Sequence, residues 1–372
     1  MRTIPQKTPG GPEVLVIADI ADPTPGHGEA LVRVSAAGIN PVDAAVRGGY
    51  YPLLGNPPFT VGWDISGTVE AIGPDVSEMA VGDAVFGMPR FPGQAAAYAE
   101  KVVAPANELA HKPASLDHVQ AGALPLAGLT AWQGLVTIRG LQKGQRALIH
   151  AGAGGVGHLA VQIAKARGAY VVTTASTAKL DFVRELGADE VIDYTKADFT
   201  EQARDVDIAL DPIGGDHPLK TLKSLRNGGV LISLLDVSEA VKAEARRRNV
   251  RLERISVRPD RDGLIELARL ADAGQLKVHV EKTFPLADAG AAQAFLATRP
   301  KGKIALVIWL SAIKKERPDA PFWLKINRIE SNAGIAGSWW CGDRPGHIRR
   351  SRPAMTGTPR SSVCSVGRLP RG

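Results

Sequence analysis

The stretch Ala147-Leu-Ile-His-Ala-Gly-Ala-Gly-Gly-Val-Gly157 decides how this chain is read. A short apolar strand runs into Gly152-x-Gly154-x-x-Gly157, and an uncharged helical stretch, Leu159–Ala164, follows. Strand, glycine turn and helix in that order are the context of a dinucleotide-binding fingerprint. The first glycine permits the tight turn, the second lets backbone approach a pyrophosphate, and the third lets helix and strand pack closely. The helix N-terminus then offers free N–H groups and a partial positive charge to phosphate. Gly152, Gly154, Gly155, Val156 and Gly157 are therefore the first expected nucleotide-binding residues.

Outward from this turn the rhythm continues. Strands are expected at Arg146–His150, Tyr170–Thr174, Glu190–Ile192, Val206–Leu210 and Gly229–Leu234, with helices ending near Arg167 and running through Lys179–Leu186. Such alternation argues a doubly wound parallel α/β sheet. Upstream, to about Gln120, short strands such as Ala30–Val34, Ile65–Ile72 and Ala84–Phe86 are punctuated by Gly and Pro. Downstream of Arg258, a helix at Gly263–Ala273 and strands at Val278–Thr283 and Ile304–Trp309 close the body.

The 372 residues are long enough for two full cores, and 44% hydrophobic with 22% charged residues is a globular composition. Met1–Gly11 lacks the apolar core of a secretory signal. The twenty uncharged residues Val119–Ile138 contain Pro125 and three glycines, which favours a buried helix with its entry turn over a membrane span. A soluble cytoplasmic protein is expected. Its net charge of +7 is local: Ser311–Gly372 holds 12 Lys and Arg against 4 Asp and Glu, whereas Met1–Leu310 holds 33 against 34. The near-neutral body does not suggest a nucleic-acid partner. Both cysteines, Cys341 and Cys364, lie in the same terminal segment, so the body has no thiolate for catalysis or metal binding. Gly, Pro and Ser make up 20 of those 62 residues without any sustained period, and disorder is expected there. Three of the six tryptophans also fall in it, a composition that suggests a non-native C-terminus such as a shifted reading frame.

Six segments carry a resemblance: Ala37-Gly-Ile-Asn-Pro-Val-Asp43, Val61-Gly-Trp-Asp-Ile-Ser-Gly-Thr-Val69, Val81-Gly-Asp-Ala-Val-Phe86, Leu124-Pro-Leu-Ala-Gly-Leu-Thr-Ala-Trp132, Ala151–Gly157 and Gly302-Lys-Ile-Ala-Leu306. In this order they resemble the medium-chain dehydrogenase/reductase superfamily, in its zinc-independent quinone oxidoreductase (zeta-crystallin-like) branch. The resemblance implies a GroES-like catalytic domain over 1–122, a Rossmann NADP-binding domain over 123–257, a return segment over 258–310 completing the catalytic domain, and a tail, 311–372, outside the family. It also implies a homodimer. Zinc-dependent relatives place Cys where Asn40 stands and His-Glu where Trp63-Asp64 stands; one carboxylate with Asn and Trp cannot hold a catalytic zinc. The four-cysteine zinc lobe is missing as well. The chain is read as metal-free.

NAD-preferring folds carry an acid about twenty residues after the glycines. Here that region is Thr173-Thr-Ala-Ser-Thr-Ala-Lys179, and no acid precedes Asp181. A hydroxyl and an ammonium would attract a 2′-phosphate, so Ser176 and Lys179, with Tyr194 implied by the family, point to NADPH. Helix capping by Ser176 and solvation of Lys179 are the plain alternatives. Asp211-Pro-Ile-Gly-Gly215 would form the opposite rim through Asp211 and Gly214, or would be only a tight turn.

Asn40, Tyr51 and Thr130 are the expected catalytic residues. Asn40 orients a carbonyl or the nicotinamide, or only initiates the Asn-Pro turn. Asp43 is read as structural. Tyr50 and Tyr51 stack on a flat quinone or donate a proton, or pack on the domain surface. Thr130, taken to open a helix, reaches the nicotinamide or caps that helix. His150 and His158 are read as packing residues. No Gly-x-Ser-x-Gly nucleophile elbow occurs. The reading is NADPH-dependent hydride transfer to a quinone or an α,β-unsaturated carbonyl; the alternative is an NADPH-binding protein with a structural or regulatory role.

Overall fold

In the computed structural model the described residues are 1–138 and 140–308. The expectations for the 311–372 tail lie outside them. The glycine turn leaves the first strand of a six-stranded sheet whose members are β1 (Arg146–Ile149), β2 (Tyr170–Ala175), β3 (Glu190–Asp193), β4 (Val206–Asp211), β5 (Leu225–Ser233) and β6 (Arg251–Arg254). Their spatial order is β3-β2-β1-β4-β5-β6, and every pairing is parallel. This is the doubly wound order, with its crevice where direction reverses between β1 and β4.

Both faces of these strands are apolar, because helices cover both. Leu148, Val172, Ala209 and Leu231 pack on one side, while Ala147, Ile149, Val171, Ile208, Leu210, Val230 and Ile232 pack on the other. Such strands read as continuous apolar runs, which is why most were visible in the sequence. β6 was not expected. Its residues, Arg251-Leu-Glu-Arg254, include three charges and occupy a half-exposed edge, so no apolar run announces it.

A second, mixed sheet gathers seven strands around Glu29–Ile39, which pairs with Ile65–Ile72, Lys101–Pro105 and Lys303–Val307. The chain returns to this sheet after the nucleotide sheet: Val280–Pro285 runs parallel to Lys303–Val307, which lies antiparallel to Glu29–Ile39. The Gly302 N–H donates to Ala153 O at 2.9 Å, tying the returning strand to the glycine turn. The architecture is a Rossmann sheet plus a β-rich GroES-like half. The uncharged stretch Val119–Ile138 forms two helices, His118–Ala123 and Pro125–Trp132, and a π-turn, Gln133–Thr137, where one helix with an entry turn was expected. Pro125 starts the second helix at a position where its missing N–H costs nothing. Among the described residues no helix is long and apolar enough to cross a membrane.

Candidate active site

The glycine turn is sterically exacting at two of its three positions. A Cβ at Gly152 would lie 2.0 Å from Thr173 Oγ1, and one at Gly157 would lie 2.1 Å from Ala151 O. At Gly154 the nearest neighbour is Ala151 O at 3.3 Å, so its lack of a side chain leaves open backbone rather than relieving a clash. The helix Gly157–Ala166 starts immediately after, and its His158 N–H donates back to Gly154 O at 3.0 Å.

No acid stands at the end of β2. Ser176 precedes a short 3₁₀ turn, Thr177–Lys179, and its hydroxyl does not cap it, contrary to the capping alternative. Lys179 is not a solvated surface charge: its ammonium is half-buried and donates to the carbonyls of Arg299 and Pro300. Burial lowers its pKa, and the charges of Lys301 and Arg299 add to that lowering. Lys301 and Arg299 were not foreseen, because they come from a loop more than a hundred residues away. Tyr194, 51% exposed, hangs its backbone N–H on Ala175 O at the end of β2. The Ser176, Lys179 and Tyr194 positions thus gather at the end of β2, where Lys301, Arg299 and the opposing Glu281 act on Lys179 and Asp193 accepts from the Thr177 hydroxyl.

Across the switch point, Asp211 ends β4 fully buried. Its Oδ1 accepts the N–H groups of Ile213 at 2.8 Å and Gly214 at 3.2 Å, which folds the turn back on itself. Gly214 needs its positive φ of 74°, and a Cβ there would meet Leu235 Cβ at 2.6 Å.

The Asn40 loop carries a buried polar cluster beside the mixed sheet. Asn40 is 2% exposed; its Nδ2 donates to Asp64 Oδ2 at 2.9 Å and its Oδ1 accepts from the ammonium of Lys303. Lys303, 3% exposed, also donates to Ile39 O at 3.0 Å and lies 3.7 Å from Asp64 Oδ2. Asp64 Oδ1 accepts the Leu126 N–H at 2.6 Å, at the start of the helix Pro125–Trp132. Asp43 Oδ2 accepts from the Asn40 N–H at 2.8 Å and the Tyr98 hydroxyl at 2.9 Å. Burial pushes Asp64 up and Lys303 down, and their mutual attraction opposes both shifts. A Cβ on Gly155 would touch Lys303 Cδ at 3.4 Å, so the stem of this lysine lines the nucleotide turn while its head holds Asn40.

The structure specifies how two of the expected catalytic residues are placed. The Asn40 carboxamide is committed to Lys303 and Asp64 and orders the pocket from within. Thr130 does not open a helix: it is the sixth residue of Pro125–Trp132, and its hydroxyl donates back to Leu126 O at 2.7 Å. Tyr51 is 42% exposed and lies near the guanidinium of Arg254, the last residue of β6. Tyr50 is 88% exposed, with its ring over Gly48. His150 and His158 are fully buried, and burial holds their pKa values at about 3 and about 4.

Asp43 supplies a pH test. Burial, partly offset by the Asn40 N–H and the Tyr98 hydroxyl, raises its pKa to about 7, with the Asp64 charge raising it further and Lys303 lowering it. A carboxyl that binds its proton more tightly when folded loses stabilising effect as pH rises from the unfolded value near 4 to about 7. The Asp43→Asn variant keeps an acceptor oxygen but no titrating proton. Its melting temperature relative to the wild type should rise between pH 5 and pH 8; a gap that stays constant or narrows the other way would rule out this protonation.

Two family models match: an alcohol dehydrogenase GroES-like domain over residues 26–114 and a zinc-binding dehydrogenase over 186–306. A 2-haloacrylate reductase of Burkholderia sp is 34% identical over 324 residues, covering 80% of this chain and 96% of that one. The structure of the quinone oxidoreductase from Coxiella burnetii matches with a TM-score of 0.78 at 34% identity, covering 83% of this chain and 99% of its own. The chain belongs to the quinone oxidoreductase family of medium-chain dehydrogenases/reductases. Another structure that resembles it, Escherichia coli quinone oxidoreductase complexed with NADPH, is 29% identical with a TM-score of 0.74, covering 82% of this chain and all of that one.

The second family model is named for zinc, and the residues around Asn40 in this quinone oxidoreductase homologue do not fit that ion. Asn40 Oδ1 and Asp64 Oδ2 both face an ammonium, and a dication there would sit beside a buried positive charge. The indole N–H of Trp63 donates to Gly93 O at 2.6 Å and has no lone pair to offer.

Proposed function

We propose that this chain is an NADPH-dependent reductase that passes hydride to a quinone or to the β-carbon of an α,β-unsaturated carbonyl without a metal. The observation that carries the proposal is Lys303, whose stem packs against the nucleotide turn and whose ammonium anchors Asn40. It joins the cofactor cradle to a pocket whose buried ammonium disfavours a metal ion, and such acceptors need no Lewis acid. Residues 1–122 and 258–310 form the catalytic half, 123–257 the nucleotide half, and the homodimer implied by the family belongs to the same proposal.

Bound NADPH would supply the hydride from its nicotinamide C4. The protein's work is to bind, orient and stabilise. Gly152, Gly154, Gly155, Val156 and Gly157 cradle the pyrophosphate; Ser176, Lys179 and Tyr194, with Arg299 nearby, take the 2′-phosphate; Asp211 and Gly214 shape the opposite rim. Tyr51 is the donor to the oxyanion that develops on the acceptor, since its hydroxyl is the one accessible group among Asn40, Tyr51 and Thr130. Asn40 and Thr130 serve by position.

The cofactor assignment is tested by titrating NADPH and NADH separately. NADPH should bind more tightly, and Lys179→Glu should weaken NADPH by about 1–3 kcal/mol, the range of a lost charged hydrogen bond, while leaving NADH nearly unchanged. Equal affinities in the unmodified protein would remove the assignment. Tight NADPH binding without turnover of quinone or enone would favour a structural or regulatory role.

A further inference from the structure

One cluster of metal-ligating side chains stands apart from the Asn40 pocket. His150 follows β1, Asp211 ends β4, and His217 opens the helix His217–Ser224. One ligand atom from each lies within 4.8 Å of the other two. We propose that these three residues bind a single dication of the zinc class, Zn²⁺, Co²⁺ or Ni²⁺, at a site that takes no part in hydride transfer. Two imidazoles and one carboxylate are the ligand set that suits such ions.

The site is already supported from behind. Asp211 Oδ1 is held by the Ile213 and Gly214 N–H groups, which leaves Oδ2 to face the histidines. Oδ2 lies 2.7 Å from His217 Nδ1 and 3.0 Å from Thr221 Oγ1, and Thr221 Oγ1 lies 3.1 Å from His150 Nε2. His150 Nδ1 reaches Thr174 Oγ1 at 3.2 Å, the kind of outer contact that orients a ligating imidazole. The two rings meet edge to face, 4.6 Å apart at 89°. The Asp211 carboxylate has no lysine or arginine among its hydrogen-bond partners.

Tetrahedral coordination at metal–ligand lengths near 2.0–2.1 Å separates ligand atoms by about 3.3 Å. The Asp211–His217 pair must therefore open slightly and His150 must close in. His217, with 23% of its side chain exposed, provides both the adjustment and the entry path. Binding through His217 Nδ1 and His150 Nε2 would replace their contacts with Asp211 and Thr221, any proton on either atom passing to the opposite ring nitrogen or to solvent, and Thr221 or water completes the shell. Sequence reading missed the site because its ligands are 61 and 6 residues apart and match no metal motif.

The test uses full-length protein stripped with chelator and then titrated with Co²⁺. The wild type should take one equivalent with the visible d–d bands of four-coordinate cobalt and should melt several degrees higher. A Cys341→Ser/Cys364→Ser variant should behave identically, which separates this site from the terminal thiols. His217→Ala, folded by circular dichroism, should lose both the bands and the shift. Absence of the bands in the wild type, or bands unchanged in His217→Ala, would overturn the proposal. Cobalt binding is read without NADPH, so failure here leaves the proposed reductase activity untouched.

Discussion

Gly157→Ala should abolish useful nucleotide binding. Its new Cβ would fall 2.1 Å from Ala151 O and 2.8 Å from Gly152 Cα, all backbone of the same turn, so no side-chain rotation can relieve it. The turn must open, and the helix Gly157–Ala166 must back away from β1. Overpacking of this kind costs about 1–3 kcal/mol of stability. We expect NADPH affinity to fall by about 100-fold or more, because phosphate recognition depends on backbone N–H groups held in one geometry. Gly154→Ala is the matched control. With its nearest neighbour at 3.3 Å it should leave the melting temperature nearly unchanged while still weakening NADPH, since its Cβ would stand where the pyrophosphate approaches. Isothermal titration and thermal unfolding of both variants decide the matter. Equal stability losses at the two positions would contradict the steric account.

Lys303→Met is expected to be the most destabilising substitution in the catalytic half. Removing the ammonium leaves Asp64 fully buried without its counter-charge, and breaking one side of a buried pair typically costs about 3–5 kcal/mol. It also frees Asn40 Oδ1 and Ile39 O and loosens the wall beside Gly155. Asp64→Asn alone should be costly for the complementary reason. The double variant should be less destabilised than the sum of the two, because it removes both charges together. Urea unfolding of the four proteins measures this coupling. Additive losses, or a Lys303→Met penalty under about 1 kcal/mol, would show that Lys303 is not paired in the folded protein.

The parts of this fold that could be read from sequence are those whose signal is local. The glycine turn announces itself within eleven residues. Ile65–Ile72 forms a strand over the span expected, and β4 is one residue longer than expected, because alternating or continuous apolar runs show up in any short window. What escaped depends on contacts between distant segments. Lys303 and Asn40 are 263 residues apart, and nothing around Lys303 marks it as buried. Arg299 and Lys301 reach Lys179 only because the chain returns to the mixed sheet. Thr130 was misplaced for a different reason: the apolar segment around it has no cap signal, so the helix start at Pro125 was not seen. β6 was hidden by its own charges. Site residues with a motif behind them could thus be named, whereas those recruited by topology could not.

The central claim is metal-free hydride transfer from NADPH to an electron-poor acceptor. Its most direct test is NADPH consumption by chelator-treated protein, with 1,4-benzoquinone and but-3-en-2-one offered separately. The account predicts oxidation of NADPH with at least one acceptor, at a rate unchanged by the chelator and lowered about 10- to 1000-fold in Tyr51→Phe, the range for losing an oxyanion donor. No turnover with either acceptor, or activity that appears only when zinc is restored, would contradict it.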